Sequence, residues 1–113
     1  MYVTVDGGGT VQDGISWDNA FSLTEWKDDV ENNAVAGDIY YVAGGTYTLT
    51  GNWDSNQSAD YNASVIQIIG VKFGTTAEPP TFADFAYNDD RPLIAAGENT
   101  FKWSSPARGW VIK

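Results

Sequence analysis

Three stretches of the chain carry side chains whose types and spacing could do chemistry. Asp54-x-Asn56-x-Ser58-x-Asp60-x-Asn62 places an oxygen-bearing side chain at every second position. That is how a calcium loop opens, because alternate residues of a tight loop converge on a hard cation. Asp54, Asn56, Ser58 and Asp60 are therefore candidate ligands, with Ca2+ as the candidate cofactor. The pattern then fails, with Ala59 where such a loop needs glycine and Val65 where it needs a bidentate glutamate. Half of the ligand set is missing, and a solvated polar loop is the competing reading. Asn56-Gln57-Ser58 and Asn62-Ala63-Ser64 are also formal glycosylation acceptors, of a kind that chance supplies often.

The second stretch is Asp89-Asp90 beside Arg91. Paired carboxylates hydrolyse glycosides when they face each other across a cleft, roughly 5–9.5 Å apart. Neighbours in sequence just before Pro92 describe a turn better, with Arg91 offsetting part of the charge. The third feature is an aromatic load outside the best-patterned elements: Trp53, Tyr61, Phe82, Phe85, Tyr87 and Trp103. A flat apolar ring matches the C–H face of a sugar, so Trp53, Tyr61 and Trp103 are candidate glycan or partner contacts. Packing in a core or a protein interface is the plainer alternative.

What is missing narrows the chemistry further. The chain has no histidine and no cysteine. Within it, zinc sites, thiol nucleophiles, Ser-His-Asp triads and imidazole acid–base catalysis are excluded. No catalytic residue is assigned. With 15 acidic against 6 basic residues, the net charge of −9 opposes phosphate backbones and anionic lipid surfaces. Nucleic-acid binding and membrane insertion are not expected, and no apolar run approaches the ~20 residues of a membrane span.

The elements that must position these residues can be read from pattern. At 113 residues the chain makes one domain or part of one. We divide it into a first strand and glycine turn (1–13), a helix region (14–38) and strands with long loops (39–113). Ala20, Leu23, Trp26, Val30 and Ala34 recur at spacings of three and four, which predicts an amphipathic helix. Asp18 is expected near its start and Gly37 at its end. Apolar or alternating runs predict strands at Tyr2–Val5, Ile39–Ala43, Thr46–Thr50, Val65–Val71, Leu93–Ala96, Thr100–Trp103 and Trp110–Ile112. Gly51–Ala63 reads as a polar loop and Thr81–Tyr87 as irregular.

Residues 16–21 (SWDNAF) and 36–47 (AGDIYYVAGGTY), joined by the helix, carry a family likeness. The segment resembles the start of right-handed parallel β-helix proteins of the pectin-lyase-like superfamily, where a cap helix precedes the first coil strand. The QIIGV strand and the segments from Arg91 to Ile94 and Trp110 to Ile112 are similar to successive coils. The resemblance implies a mainly β fold, the start of a right-handed parallel β-helix with several coils and one N-terminal capping helix. Trp17, Leu23, Trp26 and Val30 would form the cap. Members of that superfamily include polysaccharide lyases, glycoside hydrolases, tailspikes, adhesins and inert structural parts.

Two functional expectations follow. The first is a non-catalytic structural or attachment module of a secreted, cell-surface or virion protein, working by assembly and by glycan binding. Its partners would be other chains, or the rest of its own β-helix, joined through the C-terminal strand WVIK, whose edge would otherwise be exposed. The second is the beginning of a carbohydrate-active enzyme, lyase or hydrolase, whose catalytic coils lie beyond residue 113.

Overall fold

The computed structural model of the chain describes residues 1–55, 57, 64–103 and 110–113. Within them lie one helix, α1 (Leu23–Asn32), and eight short strands. The strands are β1 (Tyr2–Val3), β2 (Ile39–Ala43), β3 (Thr46–Thr48), β4 (Trp53–Ser55), β5 (Ile66–Val71), β6 (Leu93–Ala95), β7 (Phe101–Trp103) and β8 (Trp110–Ile112). Every pairing between them is parallel. One sheet runs β1-β2-β5-β8, and two further sheets are the pairs β3-β6 and β4-β7.

The structure does not form the β-helix of several coils expected from the sequence. The described residues form a small α/β arrangement, one helix with short strands in small parallel sheets. Several coils would give each sheet a matching stack of strands. Among the described residues only the first sheet exceeds a pair, and the strands of the other two are three residues long. Between β5 and β6 the chain leaves the sheets from Lys72 to Pro92, forming 3-10 turns at Phe82–Asp84 and Asn88–Asp90.

The helix also departs from its expected limits. It starts at Leu23, after Ser22 in extended backbone (φ −78°, ψ 177°), and Asp18 lies upstream in a turn. The reason is that Phe21 pairs with β1, bridging to Val3, so the chain cannot coil before Ser22. The Ser22 hydroxyl donates to Glu25 in the first helical turn. At the other end the helix stops at Asn32, and Gly37 (φ +96°) serves the following turn instead, closed by the Val35 N–H on Asp38.

The core lies between α1 and the inward faces of the sheets. Trp26, Val30, Tyr40, Val42, Tyr47, Trp53 and Ile66 are fully buried in it. Alternation explains the strand share: Tyr40 and Val42 point inward from β2, while Ile39 and Tyr41 stay partly exposed. β4 lies where a polar loop was expected, because Trp53 and Ser55 face the core and the Trp53 indole N–H donates to Ser55 Oγ at 2.8 Å.

Candidate functional site

The two ends of the core are built differently. At one end Trp26 sits among rings from three successive strands. Its ring centroid is 4.8 Å from Trp53, 5.9 Å from Tyr47 and 6.5 Å from Tyr40, with edge-on or tilted geometry. Such pairs favour the ring quadrupoles and add to area burial. The Trp26 Nε1–H has no hydrogen-bond partner among the described residues. Val30 is fully buried beside it and Leu23 packs on the margin. Trp17, the remaining expected cap residue, stands outside the core. Its ring lies 4.8 Å from Tyr2, its indole N–H donates to the Ala77 carbonyl at 2.9 Å, and its backbone N–H donates to Glu78. It ties the Lys72–Pro92 excursion to the N-terminal segment.

Polar contacts hold the helix in place. The Tyr40 hydroxyl donates to Asp29 at 2.7 Å, and that of Tyr47 to the Ala43 carbonyl at 2.7 Å. Burial pushes both phenols far above their ordinary range, and for Tyr40 the carboxylate of Asp29 adds to the effect. Glu31 accepts from Lys27 Nζ and from the Asp54 N–H, each at 2.8 Å, while its carbonyl accepts from Gln57. Glu31 therefore fastens α1 to β4.

The opposite end is less covered. Among the described residues β6, β7 and β8 are each the last strand of their sheet. In a parallel pair, alternate residues turn N–H and C=O toward one neighbour. Leu93 donates to Gly45 and Lys113 to Ile68, so the intervening amides of Ile94 and Ile112 face away from the sheets. A cavity of about 300 Å³ opens there, walled by Trp26, Val42, Ile68, Ile94 and Ile112. Arg91 and Lys113 line it as well, although the Lys113 ammonium donates to Gln67 at 2.9 Å. Gly70 forms part of the wall because a Cβ would lie 2.9 Å from the Pro92 ring.

The other candidate residues are scattered. Asp54 is on β4, opposite Lys102 on β7, with a salt bridge of 3.2 Å. Asn56, Ser58 and Asp60 lie outside the described residues, as does Tyr61. Among the described residues no group of three or more His, Cys, Asp or Glu side chains could hold a metal ion. Trp53 is fully buried, its ring 4.9 Å from Phe101, and has no face to offer a sugar. Trp103 is on β7 in register with Ser55. Asp89 and Asp90 share an exposed 3-10 turn.

A groove of about 510 Å³ runs beside the start of α1, lined by Ser22, Thr24, Lys27, Thr46, Thr48 and Thr50 among others. It offers hydroxyls and one ammonium without a carboxylate, so it lacks the acid pair of a glycosidase. Among the described residues no helix is long and apolar enough to cross a membrane. Sequence reasoning missed the role of Glu31 and the cavity. Neither has a local signal, since both depend on which strands the fold brings together. Comparison with protein-family models, with curated proteins and with solved structures finds no match to this chain.

Proposed function

We propose that this chain is a non-catalytic assembly and attachment module of a secreted, cell-surface or virion protein. It works by joining its end at β6, β7 and β8 to other protein. The observation that carries the reading is that parallel edges and an apolar cavity coincide at one end, while α1 covers the other. An edge strand presents a row of backbone donors and acceptors that another chain can pair with, and a cavity beside it accepts side chains. The reading needs no metal ion. Glycan binding, if it accompanies assembly, belongs to exposed aromatics other than Trp53.

Hydrogen exchange tests this directly. On association the amides of Ile94 and Ile112 gain protection, while those of the helix end are unchanged. Edge amides that exchange freely at every concentration would remove the basis of the reading. Turnover on incubation with acidic or neutral polysaccharides would replace it with a carbohydrate-active enzyme.

A further inference from the structure

A second row of free backbone groups lies at the end that α1 covers. The Leu93 N–H donates to the Gly45 carbonyl and the Leu49 N–H to the Ala95 carbonyl, both at 2.9 Å. Gly45, Tyr47 and Leu49 thus turn their backbone toward β6, and the intervening Thr46 and Thr48 turn theirs away. Among the described residues β3 is the first strand of its pair, and the N–H and C=O of Thr46 and Thr48 have no partner there. Val5 and the stretch from Ser22 to Lys27 stand beside this edge, so residues of the chain itself bound it.

The groove of about 510 Å³ follows the same edge. Consecutive residues from Thr46 to Gly51 line it, inward- and outward-facing alike, which puts the hollow along the rim of the strand and not over one face. The start of α1 forms the facing wall. Tyr47 is fully buried with its hydroxyl on the Ala43 carbonyl, so it offers no ring face to a sugar. Lys27 gives its ammonium to Glu31 at 2.8 Å, and is not free to hold an anion. What remains is a row of amides and carbonyls, about 13 Å from Thr46 to Thr50 at the rise of a strand. Another extended main chain repeats donors and acceptors at the same interval.

We propose that this groove binds an extended segment of a partner protein, which pairs with Thr46 and Thr48 as one more strand beside β3. An added strand takes its affinity from main-chain bonds and its selectivity from alternate side chains. Side chains of the segment that turn inward meet Val5, Leu23 and Leu49, and are therefore apolar. Those that turn outward run beside the exposed hydroxyls of Thr46, Thr48 and Thr50, and are therefore small and polar, as in cross-strand threonine pairs. The wall from α1 admits a single strand and excludes one that carries a sheet behind it. This contact is distinct from assembly through β6, β7 and β8, and neither reading depends on the other.

Hydrogen exchange of the full chain with a blocked peptide alternating valine and threonine tests the proposal. The peptide should slow exchange at Thr46 and Thr48, leave Ile94 and Ile112 as they were, and bind equally well at low and high salt. Two further peptides carry methyl groups on one or the other alternate set of amide nitrogens. At least one of them should bind about tenfold more weakly or worse, because a strand turns alternate amides to opposite edges. Thr48→Pro should weaken binding by a similar factor. It removes an N–H that β6 does not use, so the denaturation midpoint should stay close to that of the unaltered chain. Should that substitution unfold the chain, the methylated peptides still decide. No protection of Thr46 and Thr48 at any peptide concentration, or equal binding by both methylated peptides, overturns the inference. Protection of the same amides by a neutral oligosaccharide and not by the peptide also overturns it, and makes the groove a saccharide site. Protection that rises with the concentration of the chain alone overturns it in favour of a second copy.

Discussion

The end of the core under α1 and the end at β6, β7 and β8 are made from similar residues put to different use. Under the helix, Trp26, Tyr40, Tyr47 and Trp53 fill the space between strands, and Asp29 and Glu31 hold the helix to what it covers. At the far end, Ile112 is 62% and Phe82 90% exposed, and apolar walls surround a cavity. Burial of aromatic area is worth several kcal/mol only where neighbours surround the ring. The difference between the ends is therefore one of filling: rings occupy the space under the helix, and a cavity is left at the other end.

Substitutions at the two ends should expose that contrast. Trp26→Ala should cost about 3–5 kcal/mol in chemical denaturation, because it leaves a void that three other rings line. A loss under about 1 kcal/mol would mean that the helix does not close the core. Alkali should act at the same end. Tyr40 and Tyr47 are neutral in the folded chain well above the ordinary tyrosine value, whereas unfolded tyrosines ionise near 10. Their contribution is thus complete below pH ~10 and declines above it as the unfolded chain releases protons. A denaturation series across that range, read alongside phenolate absorbance, checks the sign. Stability that stays flat well above pH 10 would break the link between those hydroxyls and the covered end.

Smaller effects sharpen the comparison. Glu31→Gln should cost about 1 kcal/mol, since the Asp54 N–H keeps an acceptor while the charge and the bond to Lys27 weaken. Hydrogen exchange should show the loosening at β4 before β5. Phe82→Ser, at the other end, should leave monomer stability within about 0.5 kcal/mol, as exposed sites away from packing usually do. A large loss there would mean that the Phe82 ring supports the fold despite its exposure.

Much of the secondary structure is legible in the sequence. The runs at Ile39, Thr46, Ile66, Leu93, Phe101 and Trp110 form strands near their expected limits because apolar runs and alternation are local signals. Trp26 and Val30 face the core for the same reason. Arrangement is another matter. Trp53 reads as part of a polar loop because its strand is three residues long, and only Phe101 and Trp26, far away in sequence, reveal it as core. The family resemblance implied several coils, yet a likeness between short segments cannot say that the chain leaves the sheets from Lys72 to Pro92. Glu31 shows the same limit, since its pairing with Lys27 is local and its bond to Asp54 is not.

The contact between Trp26 and Trp53 has an optical consequence. Two indoles 4.8 Å apart, with their planes at 90°, are close enough for their transitions to couple. One belongs to α1 and the other to β4, so the coupled signal exists only while the helix is seated. Near-ultraviolet circular dichroism then reports docking of the helix through a chromophore pair that the protein itself supplies. Trp26 also walls the cavity at the far end, so the same signal should respond when that cavity is filled.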